Sequence, residues 1–150
     1  MNQRGFTLIE LVVVMVIIAI GALLLVPNLG AWLPNFRLRS ATRDIVSTMR
    51  AAQMKAVSHN AQYRVNLDEA EIGVARSYIL QHHSGGVWVN DGALQTLPDG
   101  VTLNIDQLPA GRVMFNPNST SSAGSVTLQN RRGLFRKITI TPATGRIRIE

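Results

Sequence analysis

The feature that most constrains the fold is an apolar run near the N-terminus. Residues 6–26 read FTLIELVVVMVIIAIGALLLV, and only Thr7 and Glu10 among these 21 residues are polar. As an α-helix the run is about 30 Å long, which matches the hydrocarbon core of a bilayer. A soluble helix keeps one polar side, so apolar residues around the whole circumference predict a transmembrane helix. Pro27, Gly30 and Pro34 follow it and predict a break or bend.

A removable secretory signal and a plain membrane anchor are the alternatives for this segment. The run is longer than the ~7 to 15 apolar residues of a signal peptide, and VPNLGAWLP offers no small-x-small cleavage site. Glu10 argues against a plain anchor, because a carboxylate inside a span costs up to ~3 kcal/mol near its centre. A carboxylate in such a place usually has a partner, and the alternative is that a lone Glu10 is uncharged in the membrane.

The residues Arg4 to Glu10 read RGFTLIE and, with the apolar run and proline behind them, resemble the processing motif of type IV pilins and type II secretion pseudopilins. The resemblance implies that residues 1–5 are a leader in the cytoplasm, which a prepilin peptidase removes after Gly5. It also implies N-methylation of Phe6 and pairing of Glu10 with the terminal amine of a neighbouring subunit. The implied location is the inner membrane, crossed once, with the C-terminal domain in the periplasm and assembled into a pilus or pseudopilus.

Residues 27–60 change from uniformly apolar to amphipathic. Basic side chains alternate there with an apolar stripe at spacings of three to five residues, which indicates a helix with one buried side. Ser58, His59 and Asn60 are expected to end this helix. The predicted stripe consists of Phe36, Ala41, Ile45, Met49, Ala52 and Ala56.

Residues 61–150 are predicted to form a globular domain of antiparallel β-strands. Short alternating runs are separated by turn residues, and about ninety residues suffice for a modest core. The fold class is therefore α+β, with the long N-terminal helix packed on an antiparallel sheet. The eight predicted strands are YRVNL, SYILQ, GVWVN, VTLNI, RVMF, SVTLQ, FRKITIT and GRIRI.

The positive charge is concentrated at the C-terminal end. The chain carries a net charge of +6. Residues 1–110 contain eight basic and eight acidic side chains, whereas residues 111–150 contain seven basic side chains and Glu150 alone. Such an excess favours acidic partners, either nucleic acid or anionic lipid.

The last two strands predict a specific hairpin. If residues 142–145 form the turn, Thr141 faces Arg146 and Thr139 faces Arg148. Alternation then turns four isoleucines, Ile138, Ile140, Ile147 and Ile149, toward the core. The outward row consists of Lys137, Thr139, Thr141, Arg146 and Arg148, and Arg131 and Arg132 in the preceding turn are candidates to extend it. Arg136 falls on the inward side and must lie at an edge.

The closing segments MFNP, SVTLQ and KITITPATGRIRI are similar to the C-terminal strands of the FimT/GspH family, including a Gly-Arg-x-Arg pattern at 145–148. Two machines are compatible with this resemblance. A FimT-like minor pilin near the tip of a type IV pilus would bind double-stranded DNA for uptake, without sequence specificity, through Arg146, Arg148, Arg131, Arg132 and Lys137. A pseudopilin H would serve in the tip complex of a type II secretion system without DNA binding. The implied partners are other minor pilins or pseudopilins and the prepilin peptidase.

The sequence offers little that indicates metal binding, cofactor binding or catalysis. The chain has no cysteine, and His82 and His83 are adjacent on a strand and point to opposite faces, so neither a metal site nor a cofactor is expected. A Gly-rich phosphate loop, an HExxH motif and a nucleophile–base pair are all lacking, which indicates a non-enzyme. Packing in the core is the expectation for the strand aromatics Tyr78, Trp88, Phe115 and Phe135.

Overall fold

The computed structural model describes residues 6–150, apart from the side chains of residues 24–29, 31 and 106. The predicted leader at 1–5, with the cleavage residue Gly5, lies outside the described residues. Backbone contacts divide the chain into two compact units, Met1–Leu33 and Pro34–Glu150.

Helix α1 extends from Leu8 to Ser58 without interruption, over 51 residues. The predicted break at Pro27, Gly30 or Pro34 is therefore absent, while the alternative, a bend, stays a prediction. A proline removes only one backbone hydrogen bond, and the bonds of the flanking turns are enough to continue a helix. Among the residues that the structure describes, no helix reaches the length and hydropathy required for a membrane span. The transmembrane assignment of residues 6–26 is thus not confirmed.

The C-terminal part of α1 buries one stripe of side chains. Five of the six predicted stripe residues are at most 2% exposed, while Phe36 is 53% exposed. Phe36 precedes Ala41 by five residues, which places it about 140° away around the helix. Leu38, at 3% exposure, begins the stripe instead. The end of α1 at Ser58 agrees with the prediction, and Asn60 leaves the helix with a positive φ of 49°.

Nine strands follow α1, and the eight predicted ones are all present. Two short helical elements, α2 at Glu69–Ile72 and a 3-10 turn at Pro109–Gly111, and the two-residue strand β4 were not predicted. The strands are β1 Tyr63–Asn66, β2 Ser77–Ser84, β3 Val87–Asn90, β4 Gln95–Thr96, β5 Val101–Gln107, β6 Arg112–Phe115, β7 Gly124–Asn130, β8 Phe135–Thr141 and β9 Arg146–Ile149.

The strands form two antiparallel sheets that share one core with α1. The first sheet has the order β3-β2-β1-β6, with β4 also paired to β2, and the second has the order β5-β7-β8-β9. Val65 and Phe115 of the first sheet, Leu128 and Ile138 of the second, and Met49 of α1 are all completely buried in this core. The other face of the second sheet is directed outward and carries the basic hairpin.

Candidate nucleic-acid interface

The hairpin of β8 and β9 has the predicted register. Thr141 lies opposite Arg146, Ile140 opposite Ile147, Thr139 opposite Arg148, and Ile138 opposite Ile149. Alternation along each strand therefore separates an apolar side from a polar side, as the sequence predicts.

The inward side of the hairpin is buried only in part. Ile138 and Ile140 are 0% and 3% exposed, and Ile147 packs against the core, but Ile149 is 40% exposed. Arg136, on the same inward side, is half-buried and borders a small cavity of about 100 Å³ with Arg39, Arg43 and Ile149. This edge location agrees with the prediction for Arg136.

The turn between β8 and β9 is fixed against α1. Gln53 Nε2 donates a hydrogen bond to the carbonyl oxygen of Thr144 at 3.3 Å. Ser121 N donates to the carbonyl oxygen of Pro142 at 2.9 Å, which ties the preceding loop to the same turn. Gly145 is buried, with a φ of 60°, so the glycine of the Gly-Arg-x-Arg pattern sets the position from which Arg146 projects.

The outward side of the hairpin presents what we call the basic row, Lys137, Arg148 and Arg146. Both arginines are exposed, and Lys137 is half-exposed. Lys137 and Glu150 exchange backbone hydrogen bonds of 3.1 and 2.7 Å, so the backbone of Glu150 lies directly opposite that of Lys137. Between the row's members lies Thr139, whose hydroxyl has no hydrogen-bond partner within the described part of the chain.

The basic row is not neutralised by carboxylates. The ion pairs among the described side chains are Lys55–Asp91, Arg64–Glu71, Arg76–Asp99 and Arg112–Glu71. Arg112 is thus the one member of the basic C-terminal group that is paired in this part of the structure. Lys137, Arg146 and Arg148 are in none of these ion pairs.

Arg131 and Arg132 lie apart from the basic row. They occupy the turn between β7 and β8, where Asn130 Oδ1 accepts hydrogen bonds from Arg132 N and Leu134 N at 3.0 and 3.1 Å. This turn is at the start of β8, whereas Arg146 lies at its end, and the seven residues of β8 span about 20 Å. The structure therefore brings together three of the five predicted residues and places the other two at the opposite end of the same sheet.

Between these two ends, the described side chains that line the surface of β5 and β7 are mostly hydroxyls and amides. A shallow groove of about 470 Å³ follows β5 and β7 there. Asn104 and Gln107 flank an irregularity in the pairing of these strands, and Ser125 Oγ donates a hydrogen bond to Gln107 Oε1. The groove is lined by Thr102, Leu103, Asn104, Gln107, Ser125, Thr127 and Gln129.

Phe135 is exposed on this outward face, which corrects the prediction that it packs in the core. Its side chain is 68% exposed, and its backbone pairs with Gln129 of β7. The alternation of β8 explains the difference, because Phe135 shares its side of the strand with Lys137 and Thr139. Phe115 and Tyr78 are buried as expected.

Elsewhere the fold buries an arginine that the sequence pattern does not predict to be buried. Arg64 on β1 is 3% exposed, and its guanidinium carbon lies 4.4 Å from the ring centroid of Trp88. Its Nε donates to Gln81 Oε1 at 2.7 Å, and its NH2 donates to Glu71 Oε1 at 2.5 Å. Burial lowers the pKa of Arg64, and the carboxylate of Glu71 opposes that shift. This cluster stabilises the first sheet, far in sequence from the hairpin.

The N-terminal motif begins α1 with a side-chain cap. Glu10 N donates hydrogen bonds to Thr7 O at 3.1 Å and to Thr7 Oγ1 at 3.4 Å. Thr7 thus occupies the cap, and Glu10 the third helical position, which is the spacing of a capping box. Phe6, the predicted methylation residue, is 81% exposed.

The two adjacent histidines of β2 are separated, as alternation predicts. His82 lies beside Tyr63 and His83 beside Trp88, on opposite faces of β2. In the described part of the chain, no three His, Asp or Glu side chains are grouped closely enough to hold a metal ion.

Comparison with known families agrees with both ends of the sequence. Residues 1–26 match the prokaryotic N-terminal methylation motif, and residues 41–144, more than half of the chain, match type II transport protein GspH. The chain belongs to the GspH family. It is therefore a pilin-like subunit, of the kind that associates with other pilins or pseudopilins in a filament.

The solved structures similar to this GspH-family chain include a subunit of a type II secretion system and a subunit of a type IV pilus. The structure of the minor pseudopilin EpsH from the type II secretion system of Vibrio cholerae has a TM-score of 0.63 at 11% identity, covering 76% of this chain and 96% of that one. The type IV minor pilin FimU of Pseudomonas aeruginosa has a TM-score of 0.60 at 18% identity, covering 77% and 90%. At such identities these likenesses show the pilin-like fold alone.

One relative has a higher sequence identity to this chain, over a shorter stretch. Type II secretion system core protein G of Pectobacterium carotovorum subsp. carotovorum is 43% identical over 59 residues, which is 39% of this chain. The match spans only 38% of that relative's length.

Proposed function

We propose that this GspH-family subunit is a FimT-like minor pilin that captures DNA through its basic row. The observation that carries the proposal is that Arg146 and Arg148 project from the same side of β9, exposed and unpaired among the described side chains. Guanidinium groups bind phosphate oxygens in a bidentate manner, and the hydroxyl of the exposed Thr141 adds a neutral donor. Contacts of this kind recognise the backbone and carry no sequence specificity.

The proposal assigns the N-terminal segment to processing and anchoring. A prepilin peptidase cuts after Gly5 and methylates Phe6, and residues 6–26 insert into the inner membrane with the domain in the periplasm. Glu10 pairs with the methylated amine of a neighbouring subunit during assembly at the filament tip. Support comes from the methylation-motif match over residues 1–26 and from the uniformly apolar sequence that follows. Mass spectrometry of the mature protein tests this: the expected chain starts at N-methylated Phe6, and a chain that still contains Met1 contradicts it. A Glu10→Gln variant is expected to be processed normally and to assemble poorly.

DNA binding is tested by fluorescence anisotropy of the full-length chain in non-ionic detergent across a salt series. If about four phosphates are contacted, log affinity falls with log salt at a slope of about −3 to −4. The Arg146→Gln, Arg148→Gln double variant is expected to flatten this slope by about two units. Arg43→Gln, Arg50→Gln is the matched control, because it removes two exposed arginines of α1 and leaves the hairpin intact.

A second candidate function has its own support. The 43% match to a type II secretion core protein and the fold likeness to EpsH favour a pseudopilin in the tip complex of a secretion system. In that case the basic row is a solvated strand face. Absence of DNA binding at low salt, or equal loss in the control variant, supports this function. Co-purification with other pseudopilins from detergent extracts then tests it directly.

A further inference from the structure

We propose that the outward face of the second sheet takes single-stranded nucleic acid in preference to duplex, with Phe135 stacking on a base. This inference rests on the proposed DNA binding and defines its substrate. It comes from three features of one surface: an exposed aromatic ring, an uncharged polar groove and unpaired cations at both ends.

Phe135 is the first feature. The ring of Phe135 is 68% exposed, whereas Phe115, the aromatic of β6, is completely buried. Lys137 projects from the same side of β8, about 7 Å further along, and Arg131 and Arg132 occupy the turn just before the ring. An aromatic ring beside free cations offers stacking to a base and charge neutralisation to the adjoining phosphates.

The groove beside Phe135 is the second feature. Its lining side chains are hydroxyls and amides apart from Leu103. Groups of this kind both donate and accept hydrogen bonds, as the edges of unpaired bases do. In a duplex the Watson–Crick edges are already paired, so this lining suits bases that are free.

The position of the cations is the third feature. Arg131 and Arg132 lie at one end of the sheet, and along β8 from that end Arg148 lies about 13 Å away and Arg146 about 20 Å away. A single strand is flexible enough to contact both ends with its backbone while its bases cross the polar surface. A duplex is stiff and keeps its bases stacked, so it has no free face to offer to Phe135.

The test compares two probes on the full-length chain in non-ionic detergent. One is a fluorescein-labelled thymidine oligonucleotide of about 12 nucleotides, and the other is a mixed-sequence duplex of the same length. The single strand is expected to bind at least several-fold more tightly. Phe135→Leu is expected to weaken single-strand binding roughly ten-fold and to leave duplex binding unchanged. Phe135→Trp is expected to retain or strengthen single-strand binding.

Leu134→Ala is the matched control, since Leu134 is 51% exposed in the same turn but has no ring to stack. Both positions are exposed, so thermal unfolding is expected to be unchanged in all three variants. Tighter binding of the duplex, or equal effects of Phe135→Leu on both probes, overturns the preference for single strands and leaves the proposed DNA capture intact. Absence of binding by either probe overturns both.

Discussion

Gly145 lies so close to Gln53 that a Cβ atom on the glycine would be 2.5 Å from Gln53 Nε2. The same Cβ would be 2.8 Å from the carbonyl oxygen of Ser119, and the glycine has a φ of 60°. The helix, the loop before β7 and the closing turn therefore meet at a position that only glycine fits. Within the Gly-Arg-x-Arg pattern, the glycine has a structural role and the arginines are free for binding.

Gly145→Ala is expected to lower the free energy of unfolding by about 2–4 kcal/mol. The strain of a left-handed residue contributes about 1 kcal/mol, and overpacking against Gln53 and the backbone of Ser119 contributes the remainder. Urea unfolding followed by tryptophan fluorescence measures the change. Gly133→Ala is the control, because its φ is also positive, at 80°, but the nearest side-chain atom is 3.9 Å away. A Gly145→Ala variant no less stable than this control contradicts the close contact.

Glu71→Gln is expected to destabilise the chain by about 2–3 kcal/mol. It removes the carboxylate that pairs with both Arg64 and Arg112, and leaves the buried guanidinium of Arg64 uncompensated. Glu71 itself is 33% exposed, so the cost stays below that of a fully buried pair. Asp99→Asn is the control, since its ion pair with Arg76 is exposed and contributes about 0–1 kcal/mol. Chemical denaturation, with the emission of Trp88 as reporter, measures whether Glu71→Gln loses more stability than Asp99→Asn.

Asp91→Asn is expected to reduce the acid sensitivity of the fold. The hydrogen bond from Lys55 Nζ, at 2.9 Å, holds the pKa of Asp91 below its ordinary value of 3.8, although burial opposes this. A depressed pKa contributes stability above the unfolded value, and that stability is lost as pH falls through the folded value. The difference in Tm between the natural chain and the variant is therefore expected at neutral pH, and it is expected to vanish once the pH falls through the lowered folded pKa of Asp91. A difference that persists unchanged in acid argues against this pair.

Both tyrosines are expected to resist ionisation until the fold is lost. Tyr63 and Tyr78, the two tyrosines of the chain, are each 3% exposed, and burial raises the pKa of both above the ordinary 10.0. A raised pKa contributes stability that is present below pH 10 and is lost as pH rises further. In an alkaline titration, tyrosinate absorbance is expected to increase together with the loss of far-ultraviolet circular dichroism. Absorbance that rises at pH 10 while the fold persists contradicts the burial of these rings.

The closing hairpin was predictable to the residue, because two constraints agree. The turn chemistry of residues 142–145 sets which residues face one another, and a shift by one residue would expose Ile138 and Ile140. The buried stripe of α1 was also predictable from the sequence, except for Phe36. Its spacing of five residues from Ala41 departs from a helical period. Phe135 was assigned to the core on its residue type, although its parity with Lys137 indicates the outward face.

Other features depend on contacts between distant parts of the chain. Arg64 stands between the core residues Tyr63 and Val65, and nothing in that local pattern indicates that Trp88, Gln81 and Glu71 surround it. The separation of Arg131 and Arg132 from the basic row follows from the two turns lying at opposite ends of β8, which emerges only when the strands are assembled into one sheet. The continuity of α1 through two prolines depends on the flanking turns and was not readable from the prolines themselves.

The contact between Gln53 and Thr144 joins residues 91 positions apart, and that between Asn35 and Asn130 joins residues 95 apart. Contacts of such long range slow folding, because a large loop must close before they form. During synthesis α1 is made before the strands, and the turn that contacts Gln53 is made last. These two hydrogen bonds between α1 and the second sheet therefore form only after Asn130 and Thr144 have been made.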